Sequence, residues 1–331
     1  MKVRRTIGGA VAVVAVMAMA ACGGGSSTGT QSSAPAASTA ASAAASAASA
    51  APAAVDVAGI AVTPDAAIAA LAPESIQDGI RAVTSAPYPP FEAFDEDQNL
   101  IGLDIDLGNA LAVKLGVPIS WESIDYNGVI PAVQAGKYDL VLAAMGDSAD
   151  REKVLDFVNY STQGYVLIVK KGNPEGITGI TDMCGRKLAV EAGNHNKDYF
   201  NAVQAACKKD GKEPMQVTEL PKAADAVLAV KSGNADAQYL GISTALDLVK
   251  TVDNGSALET VAPAGKKYGW DPQNVGIGLP KNAAGMTDAV LAALQALAAD
   301  GTLKAIFDKY GVVDMMIEEP VVNKPLSEPL A

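Results

Sequence analysis

The chain of 331 residues contains one histidine, His195, and three cysteines. A lone imidazole excludes a zinc site of several histidines, and a His-based triad with an independent second base. No glycine-rich loop ending in Lys-Ser/Thr is present and no GxGxxG opens a helix, which removes the common phosphate and dinucleotide cradles. Serines near His195 sit in no recognisable nucleophile turn. Bases are scarce as well: Lys+Arg 25 against Asp+Glu 37 gives −12, and −15 beyond the first 21 residues. A surface that acidic repels phosphate backbones and anionic lipid head groups, so nucleic acid is not an expected partner. No catalytic residue, metal ligand or cofactor is assigned.

Long apolar runs are confined to the N-terminus. Met1–Arg5 is a short basic region and Ile7–Ala21 an apolar stretch ending in small residues, shorter than the roughly 20 residues that span a bilayer. Residues 1–21 therefore read as a secretory signal peptide. Met19-Ala20-Ala21-Cys22 before Gly23-Gly24-Gly25 resembles a bacterial lipobox, with Met19 where Leu is usual. On that reading Cys22 becomes the lipidated mature N-terminus; the alternative is an ordinary cleaved signal with an incidental cysteine. Residues 22–54 are nearly all Gly, Ser, Thr, Ala and Pro with no apolar stripe to dock, which makes them a flexible tether. The expected location is extracytoplasmic, anchored by lipid to the outer face of the cell membrane. Cys184 and Cys207 remain, an even pair in a disulfide-permitting compartment. They form either a bridge closing a loop of about 24 residues or two buried thiols.

The body alternates between strand and helix signals. Strands are predicted at Gly79–Thr84, Val117–Glu122, Asp139–Ala143, Tyr165–Lys170, Lys187–Val190, Val217–Leu220, Ala235–Leu240 and Val275–Leu279. Helices are predicted at Thr63–Leu71, Asp104–Leu115 with Asp104 as N-cap, Val129–Ala135, from Ala149, Asn196–Lys209, Lys222–Ser232, Ser243–Thr251, from Met286 through Leu297, and Gly301–Lys309. The alternation argues an α/β, doubly wound architecture with mostly parallel sheets, whose functional residues sit beyond the carboxyl ends of strands. The Pro- and acid-rich stretch after Val313 is expected to be a tail.

A spaced set of aromatic, small and charged residues lies at those strand ends. It runs through Tyr88-Pro89-Pro90-Phe91-Glu92, Gly102-Leu103-Asp104-Ile105-Asp106-Leu107, Asp125-Tyr126-Asn127-Gly128, Gly136-Lys137-Tyr138-Asp139 and Asp150-Arg151-Glu152. It continues in Cys184-Gly185, Val190-Glu191-Ala192-Gly193, Ser232-Gly233-Asn234-Ala235-Asp236 and Asp300-Gly301-Thr302. Over roughly residues 78–312 the chain resembles the polar-amino-acid-binding family of bacterial extracytoplasmic solute-binding proteins. The resemblance implies a two-lobed, type II periplasmic-binding-protein-like fold, each lobe a mostly parallel sheet flanked by helices, joined by two crossing strands. Lobe one would be 76–164 plus 275–315, lobe two 165–274, and 316–331 the tail.

The resemblance also assigns a site. Arg151 matches the arginine that clamps the ligand's carboxylate, a planar fork suited to two parallel hydrogen bonds; taken alone it reads sooner as a solvated arginine between two acids, and the surrounding matched positions reverse that. Tyr88 and Tyr126 match the aromatics that sandwich the ligand. Ala144 and Gly146 match positions that offer backbone groups to the carboxylate, with Gly146 where Ser or Thr is common and Ser148 as a substitute hydroxyl. Asn194 and His195 stand where Thr or Ser follows a glycine across the cleft. Two acids usual in amino-acid binders are missing, since Gly241 and Ser85 occupy their positions. Glu92, Asp147 and Glu191 are the candidates to hold an ammonium group, while Asp104 and Asp106 read as capping and surface residues.

The implied function is an ABC importer's solute-binding lipoprotein. It would take up a small carboxylate-bearing solute, foremost a polar amino acid, by cleft closure and deliver it to the permease subunits as a monomer. The alternatives are an enzyme on the same scaffold, similar to dehydratases of cyclic carboxylates and using a pair such as Glu191 and His195, or a sensor domain.

Overall fold

The computed structural model describes residues 54–194, 197–281 and 283–326. The signal peptide, Cys22, nearly all of the tether and His195 lie outside the described residues. In chain order the described residues form β1 (Val55–Val57), β2 (Ile60–Val62), α1 (Ala66–Ala69), β3 (Ile80–Thr84), β4 (Ala93–Phe94), β5 (Leu100–Ile101), α2 (Leu103–Leu115), β6 (Ile119–Ser123), α3 (Tyr126–Gln134) and β7 (Leu140–Val141). There follow β8 (Leu155–Lys170), β9 (Lys187–Glu191), α4 (Lys197–Lys209), β10 (Gln216–Leu220), α5 (Ala223–Ser232), β11 (Ala237–Gly241), α6 (Ile242–Thr251) and β12 (Leu258–Val261). The chain ends with β13 (Trp270–Pro280), α7 (Met286–Ala299), α8 (Thr302–Lys309) and β14 (Met316–Val322).

One sheet runs through both halves of the molecule in the order β10-β9-β11-β8-β13-β7-β3-β6, with β12 and β14 also paired to β8. At one end β6, β3 and β7 are parallel; at the other, β10, β9 and β11 are parallel. Between them β8 and β13 run antiparallel to each other over most of their lengths. These two long strands are the connection between the lobes, and each parallel set is wrapped by its own helices, as a doubly wound pattern requires. Val83, Val129, Val141 and Phe157 pack one face at the β6 end, and Leu167, Val190, Val203 and Tyr239 one face at the β10 end. Cys184 and Cys207 are bridged, tying the turn before β9 to the end of α4.

Leu103, Leu107, Leu111 and Leu115 of α2 are all buried, as their four-residue recurrence predicts. The N-cap is Gly102, at φ 133, two residues before the expected cap Asp104. A Cβ there would lie 2.2 Å from the Phe91 carbonyl oxygen, so the backbone crossing admits only glycine. This register moves Asp104 off the cap and into the interior, which corrects its assignment to the surface. Asp106 faces outward and pairs with Lys309 Nζ at 2.6 Å.

Three strand assignments were too short. β8 begins at Leu155 rather than Tyr165, β13 at Trp270 rather than Val275, and the expected tail contains β14, antiparallel to β8. The helix expected from Ala149 is only a 3-10 turn at Arg151–Lys153.

Candidate ligand-binding cleft

The turns at the carboxyl ends of β3, β7, β9 and β11 meet at the two crossing strands. The turn after β7 carries Arg151. Its position is fixed locally: the Arg151 N–H donates to Ser148 Oγ at 3.3 Å, and Glu152 N–H to the Ser148 carbonyl at 2.9 Å. Ser148 is thereby a capping residue of the turn. The Arg151 side chain spans the gap between the lobes, with Nη1 donating to the Gly146 carbonyl at 2.7 Å and Nη2 to the Gly193 carbonyl at 2.8 Å. Its guanidinium carbon lies 5.7 Å from the Tyr126 ring centroid. A guanidinium has five donors, so these two bonds leave N–H groups over for a further acceptor.

The lobes are in contact around this arginine. A Cβ on Gly193 would be 3.5 Å from Asn127 Cα and 3.7 Å from Tyr126 Cδ1. On the other side of the cleft a Cβ on Gly241 would be 2.5 Å from the Tyr88 hydroxyl and 3.4 Å from Gln163 Oε1. Tyr88 and Tyr126 are 4% and 5% exposed, so both rings are buried where the lobes meet.

Two sequence departures acquire a physical reason. Gly146 replaces a hydroxyl-bearing residue because Gln273 fills that volume: a Cβ on Gly146 would lie 2.0 Å from Gln273 Oε1. Gln273 is itself held by donation from Nε2 to Asp271 Oδ2 at 3.0 Å. Gly241 replaces an acid, and the Tyr88 hydroxyl and the Gln163 amide oxygen occupy the vacated volume. Gln163 and Gln273 were missed in the sequence because they sit on β8 and β13, far along the chain from the residues they complement. The signal was the pair of small residues at 146 and 241.

The three acidic candidates separate. Asp147 points into the crossing strands, where Oδ2 accepts from Asn159 Nδ2 at 3.0 Å and Lys324 N–H at 2.9 Å; it belongs to the hinge. Glu92 is 1% exposed, and burial followed by the charges of Asp104 and Glu191 holds its carboxyl well above the usual range. Asp104 accepts from the Tyr160 hydroxyl at 2.6 Å and the Ala144 N–H at 2.7 Å, and burial still pushes it up to about 6. The Ala144 N–H is therefore committed to Asp104 rather than offered to a ligand.

Glu191, at the end of β9, lies on the lobe-two wall with 4% exposure. It accepts from Asn194 Nδ2 at 2.7 Å and Ala223 N–H at 3.2 Å, yet burial pushes it up to about 7. Burial, followed by the charge of Glu191, raises the Tyr88 hydroxyl. Asn194 thus supports Glu191. Where the lobes meet, the Arg151 guanidinium, the buried carboxyls of Glu92 and Glu191 and the rings of Tyr88 and Tyr126 are gathered.

The matched family model describes the bacterial extracellular solute-binding proteins, family 3, and covers residues 80–313. The chain belongs to that family. The solute-binding protein is 28% identical over 264 residues to the arginine-binding protein ArgT of Corynebacterium glutamicum, covering 78% of this chain and 83% of the relative. Among solved structures it resembles an ancestral arginine-binding protein bound to arginine, with a TM-score of 0.62 and 32% identity over 71% of this chain and 99% of the other. It also resembles an ancestral amino acid-binding protein that is a precursor of cyclohexadienyl dehydratase, with a TM-score of 0.57 and 28% identity over 70% and 94%. The type II, two-lobed architecture expected from the sequence is the architecture found.

Proposed function

We propose that this solute-binding protein captures a free amino acid for an ABC importer, gripping the ligand's carboxylate with Arg151 and its ammonium end with Glu191. The observation that carries the reading is the Arg151 side chain. It reaches from the turn after β7 to the Gly193 carbonyl of the opposite lobe, over the Tyr126 face, with donors to spare. A ligand carboxylate entering the open cleft meets the fork first; the Gly193 and Glu191 side arrives on closure, so binding shifts the open–closed equilibrium.

In this reading lobe one is 76–164 plus 275–315 and lobe two 165–274. The closed form is the species that the permease subunits recognise. Residues 1–21 direct export, and a lipid on Cys22 with the 22–54 tether keeps the monomeric receptor at the outer face of the membrane. A Cys22→Ser variant found in the medium rather than in the membrane fraction supports the anchor; equal partition contradicts it.

The test of ligand class is thermal unfolding with a panel of amino acids and other carboxylates. A ligand at about 100 times its Kd adds about 2.7 kcal/mol, which raises Tm by roughly 5–10 °C for a domain of this size. At least one amino acid is expected to give such a rise in the wild type and none in Arg151→Ala. Flat responses in both sink the proposal. The second reading, an enzyme on this scaffold, is favoured by the ability of Glu191 to exchange a proton near pH 7; quantitative recovery of unchanged ligand after incubation eliminates it.

A further inference from the structure

The matched family region stops at residue 313, but the chain continues across the hinge. β14 pairs with the crossing strand β8, aligning Met316 with Ser161 and Val322 with Val158. Its approaches are pinned to both lobes. The Met315 carbonyl accepts from Ser161 Oγ at 3.0 Å, the Asp314 carbonyl from Tyr268 at 3.4 Å, and the Pro320 carbonyl from Gln295 Nε2 at 3.3 Å.

Beyond the strand, Asn323 closes a two-way backbone clasp on Phe157: its N–H donates to the Phe157 carbonyl at 3.0 Å and its Oδ1 accepts from Phe157 N–H at 2.8 Å. Lys324 then contributes its main chain alone. Its N–H donates to Asp147 Oδ2 at 2.9 Å, and its carbonyl accepts from Asn274 Nδ2 at 2.8 Å. Asp147 is fully buried and its own N–H is tied to the Asn274 carbonyl at 2.7 Å. The next residue back is Gly146, whose carbonyl holds the Arg151 guanidinium.

We infer that residues 314–324 are a hinge strap, in which the Lys324 main chain acts through Asp147 and Asn274 to hold the Gly146–Arg151 turn in its gripping position. Asp147 and Lys324 are then positioning residues, and a segment outside the family domain sets part of the receptor's affinity. That last consequence rests on the proposed function; the positioning itself does not.

Hydrogen–deuterium exchange of the ligand-free protein tests the positioning. In a chain ending at Val322 the peptide covering residues 144–154 is expected to exchange faster, on the order of ten- to a hundredfold, as loss of a hydrogen bond to a carboxylate implies. Peptides over β9 and β11 are expected to be unchanged. Asp147→Ala, which removes the Oδ2 that accepts from both Asn159 and Lys324, should reproduce the effect, whereas Lys324→Ala keeps the main chain and should match the wild type. Unaltered exchange over 144–154 in both Asp147→Ala and the truncated chain overturns the strap, and so does acceleration spread evenly over both lobes. Titration with L-arginine is the second arm. If the wild type binds it, weaker binding by the truncated chain supports the link to affinity, and equal binding refutes that link. A wild type that binds none of the panel amino acids removes the proposed function while leaving the exchange result standing.

Discussion

Glu191→Gln isolates the cost of the buried carboxyl that faces the cleft. The Glu191 carboxyl rises from 4.5 to about 7 because folding strips it of water faster than Asn194 and Ala223 restore hydrogen bonds. At about 1.4 kcal/mol per pH unit this amounts to about 3 kcal/mol. The sign follows from proton linkage: the folded state holds the proton more tightly, so the stabilising contribution is complete below pH 4.5 and is lost as pH rises through about 7. Glutamine carries no such dependence, although it gives up one acceptor, at a pH-independent cost of about 1 kcal/mol. Urea unfolding of both proteins without ligand, at pH 4 and pH 8, reads the difference directly. Effects of other titrating groups cancel between the two. The difference is expected to move by about 3 kcal/mol in favour of Gln between the two pH values. A pH-invariant difference refutes the reasoning, because it means that Glu191 titrates as an ordinary solvated acid. With an amino acid present the preference should reverse, since an ammonium beside Glu191 favours the ionised form that Gln cannot supply.

Other expectations follow from the same geometry. Gly146→Ser should weaken ligand binding, because its Cβ meets Gln273 Oε1 at 2.0 Å; adding Gln273→Ala should recover much of the loss, and titration of the single and double variants checks this coupling. Gly241→Asp should displace Tyr88 from the cleft wall and lower affinity at least tenfold in the same assay, although it adds an acid near the proposed ammonium position. Removing the Cys184–Cys207 bridge by a double serine substitution should cost about 3 kcal/mol on the chain-entropy scale, read by urea unfolding. The bridge lies in lobe two away from the cleft, so Kd should change little.

The elements with an unbroken apolar period were legible in the sequence. α2, α4, α5, α6, α7 and α8 fall within a few residues of their expected ranges because one stripe of each meets a single core. The first ten residues of β8 were not legible. Asn159, Ser161, Thr162 and Gln163 interrupt any strand alternation, and they are polar because they bond to Asp147, Met315 and Asn274 across the hinge or face the cleft. β14 was hidden by Glu318, Glu319 and Pro320, which suit an edge strand as well as a tail.

The candidate site divides along the same line. The positions of Arg151, Tyr88 and Tyr126 are local consequences of turns after strands, and the structure brings all three to one cleft. The roles of Asp104, Asp147, Gln163 and Gln273 each depend on at least one partner 40 or more residues away, and no local pattern contains that information. Asp104 illustrates the point. A two-residue shift of the helix start, set by the Gly102 crossing, separates a surface cap from a buried support under the cleft.

The most direct measurement compares an amino acid that binds the protein with its decarboxylated amine, by calorimetric titration of the wild type and of Arg151→Ala. An arginine gripping a carboxylate in a closed cleft is worth roughly 3–5 kcal/mol, or two to three and a half decades of affinity. The wild type is expected to prefer the amino acid by that factor, and the variant to lose the preference. Equal affinity of the wild type for the two molecules would contradict the account.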